Sequence, residues 1–223
     1  MPPSKPQFVP DRLEDLPYAD HLVPHRGPLR GDDRYDTVHF DGGEYTDQSA
    51  AGATFLECAL TGVALSGVKL RQARFNEVWS QASRWVACDL VDSEWQDSAV
   101  TGGVLAGIAA HGAALRRVVL RGCKLEAVNL RAAVLRDVVF EDCLLRDVDF
   151  GDAKLTGVSF PGSTLEEVYL RGATLSGVDL RGAVSLGLPD GHQGLRGALI
   201  SSTQLLELAP QFAQALGITV KDG

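Results

Sequence analysis

"CKLEAVNLRAAVLRDVVF", residues 123–140, carries an apolar residue at Leu125, Leu130, Leu135 and Phe140, every fifth position. An amphipathic helix repeats near 3.6 residues and a half-buried strand repeats every 2, so a strict five fits neither. The pattern extends in both directions. Counting by fives from Phe40 reaches Leu180 without an insertion or deletion, and only Ala50, Ser80 and Ala110 on that count are not large and apolar. Two residues before each of these positions runs a second column, small or β-branched, in which Ala113, Val118, Cys123, Val128, Ala133, Val138, Cys143 and Val148 continue to Ala183. A small residue alternates there with a larger one, which adds a period of ten. The other three places in each five hold Arg, Asp, Glu, Lys, Thr and Gly, and these must face water.

Internal repeats decide the fold before other signals do. Two inward positions in five make each pentapeptide one short side of a stacked coil. A period of ten asks for an even number of sides, and two sides would leave no interior. Four sides, about 20 residues per coil, satisfy both conditions. Coils about 4.8 Å apart then give roughly seven turns and a rod about 35 Å long over residues 36–184. Leu130→Lys would put an unpartnered charge in that core and prevent folding.

"AVNLR" (127–131), "DVDFG" (147–151), "RGATL" (171–175) and "GVDLR" (177–181) resemble the pentapeptide-repeat family, whose pattern is approximately A(D/N)Lxx. The resemblance covers residues 36 to 184 and implies an all-β solenoid, a right-handed quadrilateral β-helix. Val, Lys, Ala or Thr often replaces the family's Asp or Asn, so the middle is degenerate. "VTGGVLAGIAAHGAAL" (100–115), poor in charge and large side chains, is where the coil should be loosest.

The ends depart from the repeat. Residues 1–35 contain seven of the ten prolines and read as an irregular, partly disordered lead-in. Residues 185–200 read as a turn-rich loop and final partial coil, with Ala198 and Ile200 back on the count. Residues 201–223 change period to form a short C-terminal helical cap. Ser201 and Gln204 fit a capping box, Leu205, Leu208, Phe212 and Leu216 fall on one helical stripe, and Gly217 is a natural stop. Pro210 should kink the segment or split it into two helices. The stripe either only covers the open coil or also pairs two copies into a homodimer; the second reading is implied by resemblance to the family's gyrase-interacting members, the MfpA and Qnr type.

A chain that is 45% hydrophobic and 22% charged is globular in composition. "MPPSKPQFVP" at the start lacks an apolar signal core, and no stretch approaches the roughly 18 apolar residues of a membrane span, so a cytoplasmic, membrane-free location is expected. The net charge of -8 disfavours direct contact with nucleic acid and leaves a basic partner open.

Little in the chain suggests catalysis. Cys58, Cys88, Cys123 and Cys143 all fall on the small inward column and read as buried reduced thiols, although Cys123 and Cys143 would stack within disulfide reach. His21 and His25 have i,i+4 spacing but no accompanying ligand set. No metal and no cofactor are expected. His111 belongs to the surface and His192 to the loop, neither with a nucleophile to activate. Walker, GxGxxG and GxSxG patterns are lacking, and a convex rod offers few pockets. A non-enzymatic role follows.

Charge is more informative. Residues 36–112 hold ten acids and four bases, whereas residues 113–184 hold ten of each. Glu57, Glu77 and Asp97, each 20 apart, should stack into a carboxylate column that Asp137 continues past Arg117, with Arg74 as the nearest relief of repulsion. The column is either a solvated face or part of an anionic surface for a basic groove. The resemblance implies the latter: a DNA mimic that binds DNA gyrase or topoisomerase IV and modulates fluoroquinolone action. The unbroken register is nearer to MfpA than to Qnr, whose coils project loops, while Arg116, Arg117, Arg121, Arg131 and Arg136 make the second half less acidic than a mimic should be. The alternative is a scaffold that binds another protein through an apolar patch of Val119, Val134, Val139 and Leu144, unless residues 1–35 cover it.

Overall fold

In the computed structural model, residues 10–189 and 194–221 are described. His192 and the first nine residues lie outside that range. Short strands recur along the chain and end in one helix, α1, Ser202–Ala215. Each strand pairs in parallel with the strand one coil on, so that Leu125 meets Leu145 and Leu145 meets Leu165.

Four walls result. The first, centred on Phe40, Leu60, Ser80, Val100, Leu120 and Phe140, has seven strands; the second (Tyr45 to Leu186) and the fourth (Tyr35 to Leu175) have eight each. The third wall is held by single bridges, Ser49 to Lys69 to Asp89 to Ala109, and then by the tails of longer strands, where Ile108 meets Val128 and Val128 meets Val148. Parallel crossovers are right-handed. The architecture is the right-handed quadrilateral β-helix that the period of five implies.

The five-residue unit works because three extended residues put the central side chain inward and its neighbours outward. The corner residue then takes a left-handed backbone. Gly52, Gly112 and Gly172 do so at φ near 72°, as do Asp47, Ala82 and Asp142 at φ 51–52°. At Gly52 any Cβ would also run into the Asp32 side chain of the preceding coil.

Packing explains two of the three exceptions to the apolar count. Interiors fill to nearly constant density, so a large residue on one wall demands a small one opposite. Ala50 shares its coil with Phe40, Tyr45 and Phe55, and Ser80 shares its coil with Trp85 and Trp95, all buried. Tyr35, Phe55, Phe75 and Trp95 form one stack up the fourth wall, with ring centroids 4.8, 4.9 and 3.9 Å apart. The next coil, with Val100 and Ala110, has no ring on the count, and its Leu105 and Leu115 are only half-buried, whereas Leu125 and Leu145 are fully buried. The looseness expected at residues 100–115 is therefore seen in those two side chains.

The described lead-in contains two single 3-10 turns, Leu13–Asp15 and Ala19–His21, and a strand Val23–Pro24 that pairs with Val38 and His39. His25 lies over the open end of the core, 4.6 Å from the Phe40 ring and 5.4 Å from that of Tyr35, and Leu29 is buried beside it. The rest is a strap on the first wall. Leu13, Leu16, Tyr18, Ala19 and Leu22 pack on the outward side chains of Ala59, Trp79, Ala99 and Val119, with Val139 at the margin. Trp79 Nε1 donates to the Pro10 carbonyl at 3.0 Å, Gln81 Nε2 donates to the Asp11 carbonyl at 3.1 Å, and Arg121 pairs with the Asp11 carboxylate at 3.0 Å.

At the other end the register slips once, Leu165 meeting Leu186, and returns where Val178 meets Ala198. The capping box is complete: Ser201 N donates to Gln204 Oε1 at 2.9 Å and Gln204 N to Ser201 Oγ at 3.2 Å. Gln204 Nε2 also donates to the Leu180 and Ala183 carbonyls, which ties α1 to the last coil. Pro210 does not split the segment. It lies in an exposed stretch and withholds a single N–H, so α1 runs through it.

Candidate protein-binding surfaces

The carboxylate column sits at one corner, between the fourth and first walls. Thr54–Leu56, Arg74–Asn76, Glu94–Gln96 and Ala114–Arg116 stack in register, and the next residue of each turns the corner. Glu57, Glu77, Asp97, Arg117 and Asp137 accordingly share a left-handed backbone, with φ of 51°, 54°, 50°, 51° and 54°. Asp and Asn tolerate that conformation through short polar side chains; Glu and Arg do not. Glu57 is half-buried and Glu77 exposed, and neither makes an ion pair among the described residues. Asp97 differs. Arg117 Nε and Nη2 grip its two oxygens, and those bonds hold the carboxyl below the usual carboxylate range. Arg74 does not relieve the column; its guanidinium faces Glu94 on the wall at 3.7 Å.

Tyr18 of the strap reaches the same corner, donating its hydroxyl to the Glu77 carbonyl at 2.7 Å. Burial, then the nearby Cys58, Glu77 and Glu57, push its phenol upward. A cleft of about 340 Å³ opens beside it, lined by Pro10, Leu16, Pro17, Tyr18 and Trp79 with Glu77 and Asp97 at the rim. Sequence reasoning did not single out this junction. Leu13, Leu16 and Leu22, three and six residues apart within a proline-rich stretch, were the signal.

The apolar patch expected at the wall is largely covered. Val119 is 4% exposed beneath the strap and Val139 and Leu144 are half-buried, which leaves Val134 open at 46%. The C-terminal stripe divides: Leu208 is buried and Phe212 half-buried, whereas Leu205, Leu206, Leu216, Ile218 and Val220 are exposed.

All four cysteines are free and buried. Burial pushes the Cys58 thiol up to about 11 and raises that of Cys88. Cys123 N donates to Cys143 Sγ at 3.4 Å, so these two stack as their spacing implies. Among the described residues no cluster of His, Cys, Asp and Glu could hold a metal ion, and no helix is long and apolar enough to cross a membrane.

Four narrow parallel walls made of five-residue units define a quadrilateral β-solenoid, a class whose members are generally structural or binding proteins. Residues 93–170, the middle of the rod, match the family model described as pentapeptide repeat region, and the chain resembles that family. No curated protein matches the sequence. Among solved structures, a trypsin-treated variant of QnrB1, described as a plasmid-mediated fluoroquinolone resistance protein, is 17% identical with a TM-score of 0.53 and covers 91% of this chain and 100% of its own. Full-length QnrB1 is 15% identical (TM-score 0.49, covering 88% and 100%). HetL, a pentapeptide repeat protein involved in heterocyst differentiation regulation from the cyanobacterium Nostoc, is 19% identical (TM-score 0.47, covering 79% and 93%).

Proposed function

We propose that this chain is a non-enzymatic, cytoplasmic binding protein that offers the acidic first half of its rod to a basic groove, as a DNA mimic directed at DNA gyrase or topoisomerase IV. The observation that carries the reading is the corner of Glu57, Glu77 and Asp97. There the topology aligns three carboxylates along the rod axis on successive coils, two of them without a counterion among the described residues. The description of QnrB1 as a fluoroquinolone resistance protein supports gyrase as the first partner to test. The exposed Leu205, Leu206 and Leu216 support a homodimer through the C-terminal segment.

The test is inhibition of gyrase supercoiling by the purified protein, with and without a fluoroquinolone, repeated on Glu57→Lys/Glu77→Lys/Asp97→Lys. Inhibition or drug protection that weakens in the variant supports mimicry; no effect of the wild type at micromolar concentration removes gyrase as the partner. Light scattering on Leu205→Glu/Leu216→Glu tests the homodimer, which should become monomeric. A second reading, a scaffold for a different protein, is favoured by the open Val134, and binding through it would tolerate salt where binding through the acidic corner would not.

A further inference from the structure

The fourth wall changes sign along its length. In residues 113–184 most cations have a carboxylate partner: Arg117 holds Asp97, Arg121 holds Glu141, Lys124 holds Glu126, Arg131 holds Asp149 and Asp152, Arg146 holds Glu166, and Arg181 holds Asp179. Arg116, Arg136, Lys154 and Arg171 make no such pair among the described residues. The first three stand together on the fourth wall, where Arg116 is in register with Arg136 and Val134 with Lys154, and all three are exposed. No acid lies in these strands; the nearest carboxylates, Asp97 and Asp137, stand at the adjoining corner, where Asp97 is gripped by Arg117. The two arginines are thus like charges about 4.8 Å apart at the backbone, an arrangement that repels unless something anionic sits across it.

We propose that Arg116, Arg136 and Lys154, arranged around the exposed Val134, form a docking surface for an acidic segment of another protein. Charge complementarity selects the occupant. Stacked guanidinium forks suit carboxylates, which they can bind through paired hydrogen bonds, and the open Val134 offers apolar contact that a side chain of such a segment can use. A nucleic acid fits less well. A strand long enough to engage several phosphates would continue along the wall toward Glu77 and Glu57, whereas a short acidic segment feels only the local field, because screening cuts off charge beyond about 8 Å at physiological ionic strength. The surface is independent of the gyrase reading, since it uses the opposite charge on a different part of the rod.

Fluorescence anisotropy of a labelled poly-glutamate peptide tests this, with labelled oligothymidine of equal length as a second probe. The peptide should bind the wild type, and Arg116→Glu/Arg136→Glu should weaken binding at least about tenfold. Arg84→Glu, an exposed cation of the second wall that also makes no ion pair among the described residues, should leave binding unchanged. Arg116→Gln/Arg136→Gln, with circular dichroism and melting checked, guards against loss of fold in the charge-reversed variant. Absence of peptide binding by the wild type, an equal loss in Arg84→Glu, or tighter binding of oligothymidine than of peptide would each overturn the proposal, the last by assigning the stripe to nucleic acid.

Discussion

Arg117 and Asp97 stand one coil apart at the same left-handed corner, and the guanidinium closes on both carboxylate oxygens. The side chains are 34% and 25% exposed, so the pair is better shielded than the rod's other bridges. Glu57 and Glu77 are therefore the column's carboxylates without a counterion on the near side of Arg117, and Asp137 continues it on the far side.

That pair sets a pH dependence. Arg117 lowers the Asp97 folded-state value below that of the unfolded chain, so the unfolded state takes up the proton first on acidification. The stabilisation is complete above about pH 4 and is lost as pH falls through the lowered folded value. Asp97→Asn should lower the melting temperature near neutrality and reduce the steepness of its fall in acid, read by circular dichroism melts across that window.

Glu77 occupies a backbone region suited to glycine, φ 54°, with an exposed side chain. Glu77→Gly should stabilise the protein by about 0.5–1 kcal/mol, because relief of the left-handed strain exceeds the added freedom of the unfolded chain. Glu77→Val should do the reverse, since β-branching is least tolerated there. Urea denaturation of both variants decides it, and equal stability would show that the corner is not strained.

The core should respond unevenly. Leu145 is fully buried, and Leu145→Ala should cost about 2–5 kcal/mol. Leu105 is half-buried in the loosest coil, and Leu105→Ala should cost less than about 2 kcal/mol. Chemical denaturation midpoints give the comparison.

The strap should be separable from the solenoid. Leu16→Ser removes a buried apolar side chain from the layer over Trp79, Ala99 and Val119 and should cost about 1–3 kcal/mol. Trp79 should then redden in fluorescence and the wall should bind an apolar dye, while the parallel ladders persist by far-ultraviolet circular dichroism. Unchanged dye binding would mean that the remaining strap residues suffice to cover the wall.

The solenoid was legible because its signal is periodic and backbone-determined: the inward positions from Phe40 to Leu180 recur whatever lies outside them. The placement of Glu57, Glu77 and Asp97 on one corner followed from the same count. What the count could not reveal were contacts between parts with different periods. Tyr18 against Glu77, Leu16 against Trp79 and His25 over Phe40 all join the proline-rich lead-in to the repeat, and no periodicity links them. Pairing of surface charges was equally hidden. Arg74 and Arg117 are both near the column in sequence register, and only side-chain geometry shows that Arg117 serves Asp97 while Arg74 turns to Glu94.

The unbroken twenty-residue register also makes the chain a compass. The remainder when a residue's number is divided by the coil length gives its bearing around the axis, so a deletion of one full coil would shorten the rod while every later side chain kept its heading. Removing a single pentapeptide would leave the interior apolar but swing everything downstream by a quarter turn. Were the pentapeptide taken from between Glu77 and Asp97, then Asp97, Arg117 and Asp137 would no longer share a heading with Glu57 and Glu77, and a partner that reads the whole column would lose part of it without any residue in it having changed.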